Sequence, residues 1–331
     1  MKYFYVFTWL CFGFLLPNYV IAQAKSNHEA VVIKNTDALP DAEFSLKIND
    51  IVVPYSVFSV FVLPSENVEF EVLYSQSQKG YVLRQVDKQL KATSTNRWVW
   101  QAPKKPGYYK LVIESRDGQQ QMQINAFVKV PSEQVEGGKL KYFHIGHYPN
   151  ETELEGKDHY IVPDGYIEVT QQNQNVLVSP HFRLKEFISK QRSKFPKYVY
   201  LQGALLLKLE KIRKELELEG HPVSNMVVMS GYRTPYYNKA IGNVKFSRHV
   251  FGDAADIFVD NDGNYRMDDL NRDGKLTIAD ADVMASIVES LNKRDSFKGL
   301  IGGLGVYGPK SHRGAFIHID TRGFKARWRN P

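Results

Sequence analysis

The sequence has 331 residues, a formal net charge of +7, 43% hydrophobic residues and 24% charged residues. These values are typical of a globular protein with room for two domains, and they exclude a largely disordered chain. The modest positive charge favours an anionic polymer as partner, although it serves solubility equally well. No arginine-rich helix or RNA-binding aromatic motif is present, which argues against a nucleic-acid partner.

Residues 1–24 have the pattern of a secretory signal peptide. One lysine, Lys2, precedes an apolar run that ends in AQA, a small-x-small cleavage site. An uncleaved membrane anchor is the less favoured alternative, because Pro17 and Asn18 interrupt a short run. Cleavage would remove one positive charge, taking +7 to +6, together with the only cysteine, Cys11. A chain without thiols excludes disulfides and cysteine ligands, and we expect export to a bacterial periplasm without stable membrane insertion.

Residues 25–135 contain short runs with two-residue alternation, such as YSVFSVFVL, RWVWQA and YYKLVIES, separated by turns such as LPSEN and KKPG. This spacing predicts an antiparallel β-sandwich of the immunoglobulin-like type. Its core aromatics are expected to be Trp98 or Trp100 and Tyr108 or Tyr109. No titratable cluster accompanies these runs, so a spacer or docking module is favoured over specific glycan or protein binding.

Residues 136–177 are predicted to be a linker and lead-in strands, which begin at the polar run PSEQVEGGK. Two helices are then predicted. The first covers SPHFRLKEFISKQ with Ser179 as its cap, and the second covers YLQGALLLKLEKIRKELELEG. Its outward face is expected to carry an ion pair between Glu210 and Lys214. Its apolar face comprises Leu205, Leu209, Ile212 and Leu216.

Two later strings carry candidate metal ligands. In AFIHIDTRG, alternation puts Phe316, His318 and Asp320 on one face of a strand. AADIFVD alternates similarly, so Asp256 can share a face with His318 if the two strands are close. His249 precedes Asp256 by seven residues across a glycine-containing turn. Two imidazoles and one carboxylate, with a fourth position open for water, are the ligand number of a catalytic zinc.

The segment between these strings, DLNRDGKLTIAD, has the spacing of an EF-hand calcium loop and looks like a dockerin-type loop because Asp closes it. An exiting helix is predicted after it, but the preceding NDGNYRM is loop-like, so we expect half an EF-hand with a structural calcium. A solvated acidic turn is the alternative. The expected ligands are Asp269, Asn271, Asp273, Lys275 through its carbonyl, Thr277 and Asp280.

The strings SGYRTPYYN (230–238), S-x-H-x-x-G-x-A-A-D (247–256) and H-x-D (318–320) resemble those of the M15 zinc peptidases. These include D-alanyl-D-alanine carboxypeptidases and peptidoglycan endopeptidases. The resemblance covers about residues 178–331 and implies an α+β zinc peptidase domain there. It implies peptidoglycan stem peptides as substrate and leaves open whether the enzyme is a carboxypeptidase or an endopeptidase.

The resemblance also suggests roles around the metal. Arg233 matches an arginine that contacts substrate near the reacting carbonyl, where a guanidinium suits a developing oxyanion. Tyr232 and Ser247 are the accompanying substrate-binding candidates. A structural salt bridge is the alternative for Arg233.

At the position of the general base this chain departs from the family pattern, because many relatives carry Glu or Asp three residues before the second zinc histidine, where this chain has Ala315. Asp320 is the first candidate, either as base or as the carboxylate that orients a zinc histidine. His312 is a weaker candidate for proton transfer. The rival hypothesis is a binding protein that keeps the zinc fold but lacks a competent base.

Overall fold

The computed structural model describes residues 42–331 except residues 43, 74–79 and 87, and the chain is mostly β-sheet with some helices. The predicted signal peptide lies outside the described residues. Within the described part of the chain, no helix has the length and apolar character needed to cross a membrane.

Two sheets make up the N-terminal half, with strand orders β2-β1-β4-β7 and β3-β9-β8-β5-β6. The strands are β1 (Ser45–Ile48), β2 (Ile51–Val53), β3 (Val57–Val62), β4 (Asn67–Leu73), β5 (Tyr81–Gln85), β6 (Lys88–Gln89), β7 (Arg97–Gln101), β8 (Gly107–Ser115) and β9 (Gln121–Val128). In β7 the alternation places Trp98 and Trp100 in the core, as expected. The sheets meet where the Phe44 and Tyr81 rings lie 4.7 Å apart and where Trp100 donates to Gln85.

One strand pair departs from the predicted antiparallel arrangement, since β3 and β9 run parallel. The chain leaves the first sheet after β2 and enters the second sheet at β3. At the edge of the second sheet, β3 therefore runs in the same direction as β9. No local pattern in the sequence encodes this direction.

The segment between the two halves packs against both of them. It contains β10 (Val130–Pro131), β11 (Lys139–Leu140), β12 (Phe143–His144), α1 (Glu151–Leu154), β13 (Gly165–Val169), β14 (Leu177–Ser179), β15 (Phe182–Arg183) and β16 (Lys197–Val199). The amide of Asn125 donates to the Leu177 carbonyl at 2.6 Å, which ties β9 to β14. The Tyr148 hydroxyl donates to the Val250 carbonyl at 2.9 Å on the other side.

The predicted helix over SPHFRLKEFISKQ is wrong. Strands β14 and β15 form a hairpin there, followed by a short 3-10 helix (Leu184–Phe187). The cause is Glu210, which is buried and accepts hydrogen bonds from the Ser179 hydroxyl at 2.6 Å and the His181 amide at 3.0 Å. The predicted outward pair of Glu210 with Lys214 is therefore also wrong, because Glu210 points inward to hold the hairpin.

The C-terminal half is a five-stranded sheet of order β17-β18-β20-β19-β21 with helices packed on it. The elements are α2 (Gly203–Leu218), β17 (Met226–Ser230), α3 (Pro235–Ala240), β18 (Ala254–Val259), α4 (Ile278–Leu291), β19 (Gly303–Tyr307), β20 (Phe316–Asp320) and β21 (Ala326–Asn330). The predicted apolar face of α2 is buried throughout, and α2 packs on α4, which covers β19 and β20. The helices α2 and α4 are confirmed, and the sheet they cover carries the candidate site.

Candidate metal centre

Three side chains from two strands and one turn converge on a common point. Asp256 of β18 and His318 of β20 are directly paired across the sheet, as the alternation predicts. His249 lies on a short 3-10 helix (Arg248–Phe251) just before β18. His249 Nε2 is 3.1 Å from both Asp256 Oδ1 and His318 Nδ1, and His318 Nδ1 is 2.9 Å from Asp256 Oδ1. All three side chains are buried, and their ligand atoms could hold one metal ion.

The turn that carries His249 requires a glycine at its end. Gly252 has φ +70°, and a Cβ atom there would lie 2.6 Å from the Tyr200 carbonyl oxygen. Left-handed backbone conformation and close approach both favour glycine. The buried Asp253 side chain, which follows this glycine, pairs with Arg248 at the start of the short helix. This ion pair stabilises the same turn. Together these contacts bring His249 over the start of β18.

The atom of each ligand residue that faces away from the common point is held by another protein group. His249 Nδ1 lies 2.7 Å from the Gly231 carbonyl oxygen, and His318 Nε2 lies 3.2 Å from Asp320 Oδ2. Arg233 Nη2 donates to Asp256 Oδ2 at 2.6 Å. These contacts fix the ring orientations that leave His249 Nε2 and His318 Nδ1 facing Asp256. In a tetrahedral zinc site with bonds of about 2.0–2.1 Å, the ligand atoms lie about 3.3 Å from one another. The observed separations of 3.1, 3.1 and 2.9 Å are close to this value, so the residues fit this metal.

The protonation of these groups follows from burial and from their mutual charges. Burial lowers the pKa of His249. Burial alone would raise the pKa of Asp256, but His249 and His318 hold that pKa well below its usual range. Burial alone would lower the pKa of His318, but hydrogen bonds to Asp256 and Asp320 raise it. Asp256 is therefore a carboxylate around which two basic nitrogens are arranged, a donor set that suits a divalent cation.

Residues 180–277 match the family model described as Peptidase M15. The chain carries an M15 peptidase domain. The matched segment contains His249 and Asp256. This family assignment supports a peptidase-type hydrolase, and His/Asp/His is the candidate metal-binding group of the domain.

Comparison with solved structures gives only weak likenesses. A polysaccharide lyase has a TM-score of 0.21 and 10% identity over 28% of this chain and 13% of that chain. The fibronectin(III)-like modules of Clostridium thermocellum CbhA have a TM-score of 0.17 and 13% identity over 25% of this chain and 94% of that chain. No curated protein is significantly similar to the chain. The M15 domain is thus identified by the family model together with the site geometry.

Around the M15 metal group, the substrate-binding candidates differ in position. Arg233 is engaged with Asp256, and its Nε also donates to the Ser230 hydroxyl at 2.9 Å. Tyr232 is 1% exposed and its hydroxyl lies 2.8 Å from that of Tyr148, so its burial does not fit the expected contact with substrate. Ser247 is half-buried where the His249 turn begins. A contact of Arg233 or Ser247 with substrate stays a prediction.

Asp320 lies on the inner side of His318, away from the ligand atoms. It is fully buried, and its Oδ1 accepts a hydrogen bond from the Gly303 amide at 2.7 Å. Arg322 pairs with the same carboxylate. Burial would raise the pKa of Asp320, but His318 and Arg322 hold it well below its usual range. This geometry favours orientation of His318 over proton abstraction from water. His312, the other candidate for proton transfer, is exposed in the loop before β20.

Sequence reasoning missed Trp328. In the sheet register Asp256 pairs with His318, His318 with Gly305, and Gly305 with Trp328. The indole ring lies 5.1 Å from the His318 ring, and a Cβ atom on Gly305 would overlap it. Glycine at this position therefore lets the indole lie over the strand beside the M15 metal group. The signal available in the sequence was the alternation of glycine with apolar residues in GLGVY.

The predicted calcium loop is closed by its own hydrogen bonds. Asp269 accepts from the Gly274 amide at 2.7 Å, and the buried Asp280 accepts from the amides of Leu270 at 3.0 Å and Thr277 at 2.8 Å. In the described part of the chain, the acidic residues of this loop do not form a compact three-carboxylate group, whereas the preceding Asp260, Asp262 and Asp268 do. Nothing in the geometry supports calcium at Asn271, Asp273, Lys275 or the other predicted ligands, so this site stays a prediction.

Proposed function

We propose that this protein is a secreted zinc metallopeptidase that hydrolyses peptide bonds in peptidoglycan stem peptides. The observation that carries the proposal is the convergence of His249 Nε2, Asp256 Oδ1 and His318 Nδ1, each held from behind by another protein group. Two imidazoles and one carboxylate leave a coordination position for the reaction. The choice of peptidoglycan follows from the resemblance of the SGYR, S-x-H-x-x-G-x-A-A-D and H-x-D strings to peptidases of that class.

The residues around the metal group have distinct parts in the proposed hydrolysis. Zinc, when bound, supplies a Lewis acid that makes water nucleophilic near neutral pH and polarises the scissile carbonyl. Arg233 holds the outer oxygen of Asp256, and its guanidinium is proposed to stabilise a developing oxyanion. Asp320 keeps the proton of His318 on Nε2, so Nδ1 keeps its lone pair for the metal. His312 is proposed to carry the proton to the leaving amine.

The other segments of the chain have separate proposed roles. We propose that residues 25–135 form an immunoglobulin-like spacer or docking domain and that residues 178–331 form the peptidase domain, with residues 136–177 connecting them. The facing sheets with buried Trp98 and Trp100 support the first assignment. The signal-like residues 1–24 support export to a periplasm, and the EF-hand spacing of residues 269–280 supports a structural calcium.

A binding protein is the second candidate function. The observation that favours it is the position of Asp320, which is buried behind His318 and paired with Arg322. Ala315 also stands where many relatives carry an acidic residue. A domain with a metal group but without a proton acceptor would hold stem peptides without cleaving them.

Digestion of purified peptidoglycan separates these functions. The protein is incubated with the polymer in the presence of zinc or chelator, and the fragments are measured by mass. Zinc-dependent loss of terminal D-alanine indicates a carboxypeptidase, and conversion of crosslinked dimers to monomers indicates an endopeptidase. Asp256→Ala is expected to abolish zinc binding and hydrolysis together. One bound zinc without any release of fragments by the wild type would favour the binding protein, and full activity of Asp256→Ala would refute the ligand set.

A further inference from the structure

A cavity of about 130 Å³ lies where the N-terminal sheets meet the C-terminal half. Its walls come from the turn between β1 and β2, from β3, and from residues 200–204, which lead into α2. The exposed Asp50 belongs to its lining, so the cavity opens to solvent. A cavity of about 150 Å³ holds one benzene molecule, and a ligand of about six heavy atoms therefore fits here.

One polar group in the wall of this cavity has no partner. Ser59 of β3 lines the cavity and is 2% exposed. Within the part of the chain that the structure describes, its hydroxyl makes no hydrogen bond. A buried hydroxyl without a partner is unfavourable, and such groups are few in folded proteins. A polar atom of a ligand in the cavity would satisfy it.

Both signs of charge are present in the same wall. The Lys129 ammonium and the Asp164 carboxylate line the cavity, are largely buried, and pair at 2.5 Å. An ammonium has three donors and a carboxylate accepts several hydrogen bonds, so each group can also bind the opposite charge of a ligand. The first residues of α2, Gly203 and Ala204, line the cavity too, and no side chain caps this helix. Their amides are further donors.

The rest of the lining limits the ligand to a small molecule with an apolar part. A Cβ atom on Gly203 would lie 3.5 Å from the Ile51 side chain and 3.8 Å from the Phe58 ring, so these apolar groups face the start of α2. Two carboxylates, Asp50 and Asp164, stand against one ammonium in the lining. This excess of negative charge disfavours a simple anion, and the ligand needs a positive group as well.

We propose that the cavity binds a small free α-amino acid in its zwitterionic form. The carboxylate of the ligand bonds to Lys129 and to the Ser59 hydroxyl, and its ammonium bonds to Asp164. A side chain of one or two carbons lies against Ile51 and Phe58. Alanine has both charges, one methyl group and about the number of heavy atoms that the volume admits.

The cavity is separate from the metal group but contacts its support. Gln202 lines the cavity, and its backbone N–H donates to the Gly252 carbonyl at 3.1 Å. Its side-chain amide donates to the Phe251 carbonyl at 3.0 Å. Both acceptors belong to the turn that carries His249. A bound amino acid thus lies beside the residue that supports this turn. Binding requires neither zinc nor hydrolysis, so the site stands apart from the proposed function.

Titration with matched small molecules tests the site. D-alanine, L-alanine, propionate and isopropylamine are each added to the full chain in chelator, and the dissociation constants are measured by NMR. Propionate lacks the ammonium group and isopropylamine lacks the carboxylate. At least one form of alanine is expected to bind with a dissociation constant of about 1 mM. The other two molecules should bind roughly tenfold more weakly, because each leaves one charge of the pair unmatched.

Two variants complete the design. Ser59→Ala is expected to weaken alanine binding by about 3- to 10-fold, while the thermal transition of the free protein stays the same or rises because an unpartnered hydroxyl is removed. Asp164→Asn is expected to lose the preference for alanine over propionate. Ser56→Ala is the matched control, since Ser56 lies just before β3 outside the cavity lining, and it should bind alanine as the wild type does. Ser59→Ala carries the test if Asp164→Asn does not fold.

The outcomes separate this site from the proposed function. Binding of neither form of alanine, or equal affinity for alanine and propionate, would overturn the site. Unchanged affinity for alanine in both Ser59→Ala and Asp164→Asn would also overturn it, because the amino acid would then bind elsewhere. Hydrolysis of peptidoglycan is measured separately with zinc. If alanine binding depends on Ser59 but the zinc-loaded protein cleaves nothing, the amino-acid site stands and the proposed hydrolytic function fails.

Discussion

The carboxylate of Asp320 is anchored by His318, Arg322 and the Gly303 amide. A general base must reach water on the open side of a metal, whereas this group contacts only the far nitrogen of a ligand histidine. Its burial also leaves no described route by which it could exchange a proton with substrate. The contacts therefore favour a residue that positions His318 and strengthens it as a ligand.

Asp320→Asn tests this role. The amide oxygen can still accept from His318 Nε2, but the negative charge is lost, so zinc affinity is expected to fall about 10- to 100-fold. Affinity is measured by competition with a chromophoric chelator. Saturating zinc should restore much of the kcat of the variant. The acidic limb of its kcat–pH profile should then lie at the same pH as that of the wild type. Unchanged zinc affinity with loss of that limb would instead identify Asp320 as the base.

Lys208 is a fully buried cation directly beneath the site. Its Nζ donates to the carbonyl oxygens of Leu300 at 2.9 Å and Asp320 at 2.7 Å. Burial lowers its pKa from 10.5 to about 8, although the charge of Asp320 opposes the shift. Between these two values the unfolded chain binds a proton that the folded chain has released. The free energy of unfolding therefore rises with pH in this window.

Lys208→Met should remove this pH dependence. Relative to the variant, the wild type is expected to gain up to about 3 kcal/mol in the free energy of unfolding between pH 8 and 10.5. Urea unfolding of both proteins in chelator at several pH values gives the difference, in which titrations common to both proteins cancel. A difference that stays constant with pH would mean that Lys208 has an ordinary pKa in the folded protein.

At the scale of elements, α4 begins with a capping box in which the Thr277 hydroxyl accepts from the Ala279 amide and Asp280 accepts from the Thr277 amide. Asp280 also accepts from Leu270 and is fully buried. Asp280, which closes the predicted calcium loop, therefore stabilises the start of α4 without needing a bound ion. Loss of this residue would affect stability even in the absence of calcium.

Asp280→Ala should lower the free energy of unfolding in chelator by about 1–3 kcal/mol, because a helix cap is lost and a buried amide loses its acceptor. Asp273→Ala is the control, since Asp273 is exposed and accepts only within the loop, and a change below about 0.5 kcal/mol is expected. Denaturation in calcium completes the comparison. If calcium does not stabilise the wild type, the calcium site is refuted.

The elements that the sequence predicts correctly are those with strong local signals. Strict alternation identifies β18 and β20, and a four-residue apolar stripe identifies α2. The β14–β15 hairpin was missed because Glu210, thirty-one residues beyond Ser179, determines it. The Trp328 contact was missed for a similar reason, since it depends on the parallel pairing of β19 with β21, which are neighbours in the sheet but are separated by β20 in the sequence. Local patterns do not contain such pairings.

At the scale of the whole molecule, the two halves share a continuous apolar core. The boundary predicted at residues 135 and 136 separates β10 from its partner β13. Just before β10, the buried Lys129 ammonium pairs with Asp164 at 2.5 Å. A peptidase fragment cut at the predicted boundary would therefore leave Asp164 without its partner and expose one edge of β13.

Two fragments measure this effect. We expect the fragment 129–331 to be more stable than the fragment 136–331 by at least about 2 kcal/mol, because the shorter one loses the buried Val130 and a buried ion-pair partner. Both fragments expose the same surface toward the N-terminal sheets, so this cost cancels in the comparison. Chemical denaturation in chelator gives the difference. Equal stabilities would support the boundary at 135 and 136.

The row that joins Asp256, His318, Gly305 and Trp328 spans four strands drawn from more than seventy residues of sequence. During synthesis the N-terminal sheets can fold once residue 128 has emerged. At that stage His249, Asp256, His318 and the Trp328 indole have not yet been synthesised or are not yet together. A nascent chain therefore cannot bring the three candidate metal ligands together until β20 has emerged, and the indole joins their row only when β21 follows.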